Sequence, residues 1–102
     1  MNSVFKALAD PTRRRVLELL KVRPMTAGEL SDQFPVSKPT MSAHFTVLRE
    51  ADLIEMNKAG KTITYHLKLS VLEDALLGFA AVFRVGTQAQ DDPSPLSTPQ
   101  KV

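Results

Sequence analysis

Apolar positions recur at helical spacing almost from the start of the chain. Val4, Phe5 and Leu8 share one face, and Asp10-Pro11 then interrupts the run with a capping residue followed by a proline suited to a first helical position. A second helix follows, with Val16, Leu17, Leu19 and Leu20 forming a broad buried face and Arg13, Arg14, Arg15 and Glu18 at its start and on its polar side; Arg23-Pro24 ends it. Thr26 and Glu29 have capping-box spacing and open a short third helix lined by Ala27, Leu30 and Phe34. Pro35-Val36 turns the chain, Ser37 caps a fourth helix that tolerates Pro39 in its first turn, and Met41, Phe45 and Leu48 point inward until Ala51. Ile54 and Met56, then Ile63, Tyr65 and Leu67, alternate with polar residues, which predicts two strands joined by the loop Lys58-Ala59-Gly60-Lys61. Ser70 and Glu73 repeat the capping-box spacing ahead of a fifth helix whose apolar residues, Leu72, Ala75, Leu76, Phe79, Ala80, Val82 and Phe83, cover much of its circumference.

This order predicts a mainly α fold with a small β-hairpin, a winged helix-turn-helix of five helices and a two-stranded wing. At 102 residues, 43% of them hydrophobic, the chain suits a single domain over residues 1–85. From Gly86 onward aromatic residues vanish and Pro, Ser and Thr dominate, so residues 86–102 are expected to form a disordered tail. The chain begins Met1-Asn2-Ser3 without a basic leader or apolar signal core, and Ala75 to Val85 is far short of the roughly 20 apolar residues of a membrane span. The expectation is a cytoplasmic protein without membrane insertion. Cysteine is absent, which removes disulfides and thiolate metal ligands. Net charge is only +2, yet setting aside Asp91, Asp92 and Lys101 leaves 12 basic against 9 acidic side chains in the body of the chain, a modest bias toward a polyanion.

The helix-turn-helix pattern has a physical rationale as a reader of double-stranded DNA. A short helix braces a second one whose polar face is small enough for a major groove about 12 Å wide, while the hairpin reaches the neighbouring backbone. The candidate contacts are Ser37, Lys38, Pro39, Thr40, Ser42, Ala43 and Thr46 on the fourth helix, with Lys58 and Lys61 at the hairpin tip. Hydroxyls can bond phosphates or base edges, and the apolar atoms of Pro39, Thr40, Ala43 and Thr46 can meet thymine methyls. Arg13, Arg14 and Arg15 are left undivided between DNA contact and ion pairs with neighbours such as Glu18.

Catalytic and metal chemistry find no foothold. Ser42 and His44 stand two positions apart on a helix, about 200° around its axis, so they cannot form a nucleophile-base pair, and His44 reads as a packing or hydrogen-bonding residue. His66 has Thr64 and Lys68 as strand-face neighbours, which is no ligand cluster, and Glu73 and Asp74 suit a helix N-terminus. No enzyme, cofactor or metal site is expected. A rival reading keeps the fold and makes it a protein-binding module; a small hydrolase ranks last.

The segments FKALADPTRRRVLELL (5–20), MTAGEL (25–30), VSKPTMSAHFTVLREADLI (36–54) and GKTITYHL (60–67) resemble the ArsR-type family of bacterial winged-helix repressors, and within it the metal-independent, SdpR-like autorepressor branch. The resemblance spans Val4 to about Phe83. It implies that the fourth helix reads DNA, that the first and fifth helices form a homodimer interface, and that the dimer represses transcription from a pseudo-palindromic operator, with any inducer unspecified. Val4, Phe5, Leu8, Leu72, Leu76, Phe79 and Phe83 are the candidates for interface or underlying core. Metal-sensing relatives carry paired cysteines on the third helix, where this chain has Ala27, Gly28, Glu29 and Leu30, or histidine ligands on the fifth, which here has no histidine. Relatives also often place Gly or Asn in the turn before the reading helix. Pro35 cannot take that left-handed conformation. Ala43 stands where many relatives have a larger polar residue, which makes base readout there apolar or absent.

Overall fold

The computed structural model describes residues 2–83; the expected tail and the expected boundary at residue 85 lie outside them. Backbone contacts divide the chain into two compact units between Leu72 and Glu73. The first holds helices α1 (Asn2–Leu8), α2 (Pro11–Val22), α3 (Ala27–Ser31) and α4 (Lys38–Glu50), with strands β1 (Met25–Thr26), β2 (Ile54–Ala59) and β3 (Thr62–Leu67). Helix α5 (Leu69–Phe83) starts in it and supplies the described part of the second unit. This is the winged helix-turn-helix that the pattern predicts, five helices and a β-hairpin among the described residues.

The core of the first unit is built from the apolar faces already evident in the sequence. Val4 and Ala7 of α1, Val16, Leu17 and Leu20 of α2, Leu30 of α3, and Met41, Phe45 and Leu48 of α4 are buried with Met25, Ala51, Leu53, Ile54 and Tyr65. Leu19 is only half-buried. Phe45 and Tyr65 lie with ring centroids 4.6 Å apart and planes tilted by 33°, which docks α4 on the sheet. Burial of this ring raises the Tyr65 phenol above its ordinary value.

Several local features depart from expectation, each for a stated reason. The sheet has three strands in the order β1-β3-β2, because Met25 and Thr26 pair antiparallel with Tyr65 and Thr64 on the edge of β3 that β2 leaves open. Lys58 and Ala59 belong to β2, paired with Ile63 and Thr62, so the loop shrinks to Gly60-Lys61. Gly60 has φ +60° and Lys61 does not share the positive φ, the pattern of a type II′ turn, whose twist matches its strands. Phe34 falls beyond α3, which ends at Ser31. Ser70 is not a cap: α5 begins at Leu69, and the Lys68 carbonyl accepts from the N–H groups of Val71 and Leu72.

The C-terminus of α4 closes in a Schellman arrangement that the sequence conceals. Leu53 N–H bonds the Leu48 carbonyl at 3.1 Å and Asp52 N–H the Arg49 carbonyl at 2.9 Å. Asp52 occupies the left-handed position, φ 60°, usually held by glycine. Its carboxylate accepts from Lys68 Nζ at 2.7 Å, tying the end of β3 to that corner.

Candidate nucleic-acid interface

Helix α4 begins with Ser37, whose Oγ accepts the Thr40 N–H at 3.3 Å and donates to Thr40 Oγ1 at 2.9 Å. Pro39 lies in the first turn, where no intrahelical donor is needed. Met41, Phe45 and Leu48 recur at i, i+4 and i+7 and are buried, which turns the remaining faces outward. Ser37, Lys38, Pro39, Thr40, Ser42, Ala43 and Thr46 are all exposed. The turn between α3 and α4 is tight, with Gln33 N–H on the Leu30 carbonyl at 3.0 Å and Phe34 N–H on the Ser31 carbonyl at 3.2 Å. It uses no left-handed residue, since Asp52 and Gly60 alone among the described residues have positive φ, and Pro35 therefore fits it without strain.

Strand β2 of the wing packs against α4. Lys58 and Lys61 are both exposed, and Lys61 borders a shallow depression shared with Thr26, Ala27 and Gly28 at the start of α3. That start is held by a complete capping box: Glu29 N–H donates to Thr26 Oγ1 at 3.0 Å, and Thr26 N–H donates to Glu29 Oε1 at 2.9 Å. The Thr26 N–H, with Arg23 nearby, holds the Glu29 carboxyl below its ordinary value despite partial desolvation. A second groove runs between α4 and β2, lined by Thr46, Arg49, Glu50, Ile54, Glu55 and Met56.

Behind the exposed face, His44 joins α4 to the start of α2. Arg13 Nη1 lies 3.1 Å from His44 Nδ1, and His44 Nε2 lies 3.9 Å from Asp10 Oδ2. Asp10 caps α2 by accepting the Arg13 N–H at 3.1 Å. Desolvation pushes its carboxyl upward, but the Arg13 N–H, His44 and the Thr12 N–H together outweigh it and hold the group below its ordinary 3.8. A depressed folded value means that the stability Asp10 contributes is full above the unfolded pKa and is lost as pH falls through the folded one. Asp10→Ala is therefore expected to cost about 1 kcal/mol at neutral pH, a penalty that shrinks below pH 3.8. Urea melts at neutral pH and near pH 3 check this, and an equal penalty at both would contradict it.

A helix-turn-helix domain profile matches residues 8–57. The transcriptional repressor SdpR of Bacillus subtilis (strain 168) is 46% identical over 76 residues, spanning 74% of this chain and 84% of that protein. This chain belongs to the ArsR-type family of winged helix-turn-helix transcription repressors. The arsenical resistance operon repressor of Staphylococcus aureus is 30% identical over 76 residues, 74% of this chain and 73% of that one. Among solved structures, an ArsR-like transcriptional regulator from Rhodococcus sp. RHA1 superposes with a TM-score of 0.71 at 29% identity, covering 81% of this chain and 78% of that chain.

Within this ArsR-type repressor, the three arginines left undivided by the sequence have separate partners. Arg13 donates through Nε to the Ala7 carbonyl at 2.9 Å and through Nη2 to the Lys6 carbonyl at 2.7 Å, and Arg14 Nη1 donates to the Leu8 carbonyl at 2.7 Å. Together they cap the C-terminus of α1, whose last carbonyls have no intrahelical donor. Arg15 pairs with Glu18 at 2.9 Å on the exposed side of α2. Arg49, exposed and three residues beyond Thr46 on α4, is a further cation on this helix outside the sequence candidates. Helical spacing from Ser42 and Thr46 would have found it.

Proposed function

We propose that this ArsR-type repressor acts in the cytoplasm as a homodimer on a pseudo-palindromic operator, without a metal effector. Each α4 enters a major groove, reading bases through Thr40, Ser42, Ala43 and Thr46, with Ser37, Lys38 and Pro39 at the groove edge. Lys58 and Lys61 of the wing bind the adjacent backbone. The observation that carries this reading is the exposure of all seven residues on the opening turns of a helix anchored by Met41, Phe45 and Leu48.

The dimer interface is assigned to α1 and α5. On α5 no residue is buried; Leu76 is 48%, Val82 71% and Phe83 62% exposed, and on α1 Phe5 is 40% exposed. Apolar surface of that extent favours an interface. Val4 is core, Leu8 and Leu72 are half-buried, and Phe79 stacks against Phe83 with centroids 4.9 Å apart. A two-fold homodimer on a pseudo-palindromic site needs its reading helices about 34 Å apart, one turn of duplex. Repression then follows from promoter occlusion.

The staphylococcal relative is named for arsenical resistance, a chemistry that soft thiolate ligands serve. This chain has no cysteine, and no group of three or more His, Asp or Glu residues able to hold a metal exists among the described residues. The lack of cysteine, and so of thiolate ligands, supports a repressor without a thiolate-bound metal effector. That the relatives are regulators supports a role in binding and not in catalysis.

Selection of bound fragments from random duplex DNA tests the proposal and yields the operator. On that operator, Lys61→Ala should weaken binding about equally on all sequences and lower the salt slope by about one unit, whereas Thr40→Ala should change the preferred sequence. Failure to retain any duplex at low ionic strength would sink the assignment, and a partner protein held without salt dependence would point to an interaction module.

A further inference from the structure

Arg13 is the point at which three segments of the first unit meet. Its guanidinium donates to the Lys6 and Ala7 carbonyls at the end of α1, its own backbone N–H caps onto Asp10, and Nη1 reaches His44 in the middle of α4. A guanidinium has five donors and no acceptor, so His44 Nδ1 must accept from it. The imidazole is thereby held as the Nε2–H tautomer, with that N–H turned toward Asp10 Oδ2. The His44 side chain is only 14% exposed, so the bond is shielded from competing water.

The placement of His44 gives this bond leverage over the exposed face. It adjoins Ala43, precedes Thr46 by two residues and lies one helical turn beyond Thr40. The apolar anchors Met41, Phe45 and Leu48 hold α4 against the core through forces without direction, which leave the fine setting of its rotation to directed bonds. A roll of about 10° moves a side-chain tip 5–6 Å from the helix axis by about 1 Å. Hydrogen bonds to base edges tolerate only about half an ångström. A directed bond between a planar cation, itself fixed by two main-chain carbonyls, and a ring on α4 removes that freedom.

We propose that His44 and Arg13 are positioning residues for base readout: their hydrogen bond sets the rotation of α4 about its own axis and hence the aim of Thr40, Ala43 and Thr46. Neither touches the bases. The inference rests on α4 being the reading helix, as proposed above, and its signature is loss of sequence discrimination with general duplex affinity retained.

The test compares two probes at one fixed salt concentration: the duplex selected by the unmodified protein and a shuffled duplex of equal length and composition. His44→Leu, which keeps bulk and removes the acceptor, is expected to lower the ratio of the two affinities about tenfold, the worth of one mismatched base pair. His44→Asn, whose Oδ1 can stand in for Nδ1, should restore most of the ratio. A residue important only for folding would weaken both probes together and leave the ratio intact, so an unchanged ratio in His44→Leu overturns the proposal. Should that variant not fold, Arg13→Lys decides, since one ammonium cannot bridge three acceptors held by a fork; it must lower the ratio, and an unchanged ratio again overturns the proposal. If the unmodified protein itself does not distinguish the probes, the reading of α4 falls and this inference with it. A large ratio that survives every substitution removes the positioning role alone.

Discussion

Leu48→Ala is expected to lower the free energy of unfolding by about 3 kcal/mol, within the range seen for leucine truncations in well-packed cores. Leu48 is fully buried on α4, and its carbonyl also accepts the Leu53 N–H that closes the helix, so little slack exists for the cavity to collapse. A domain this small has about 5–10 kcal/mol of total stability, so the change removes a large fraction of it. Urea unfolding checks this: the midpoint should fall with the slope unchanged. Ser42→Ala on the exposed side of the same helix should move the midpoint little. A loss of under about 1 kcal/mol for Leu48→Ala would mean that α4 is not anchored through this side chain.

The largest effect on DNA binding is expected from Leu76→Glu on α5. If that face is shared between two copies, each dimer would bury two like charges across a two-fold axis, at a cost of several kcal/mol. Sedimentation at micromolar concentration should then show monomer. Operator affinity should fall at least about a hundredfold, because the second half-site is no longer tethered to the first. Val22→Glu is the control, since Val22 is 81% exposed on α2, a helix not assigned to the interface, and should change neither. A dimeric Leu76→Glu protein with unchanged affinity would remove α5 from the interface.

The caps at Asp10, Thr26 and Ser37 and the inward face of α4 were legible because each depends on residues within a turn of one another. The exposed candidates on α4 followed from the same periodicity, since naming the buried face names the outward one. The partners of Arg13, Arg14 and His44 were not legible. Arg13 and His44 are 31 positions apart, and nothing in their spacing announces the contact. The short strand β1 escaped notice for a related reason: two residues carry no period, and they become a strand only because β3 offers an unpaired edge.

Local order alone thus determined the helices, the hairpin and the polar outward turns of α4, since caps and periodicities are short-range physics readable along the chain. Only the tertiary structure decided which charged side chains are committed internally, where the α4 corner closes through Asp52, and that a single guanidinium ties α1, α2 and α4 together. Those outcomes depend on groups distant in sequence competing for the same carbonyls and ring nitrogens. Such competition is resolved by packing, which no linear pattern encodes.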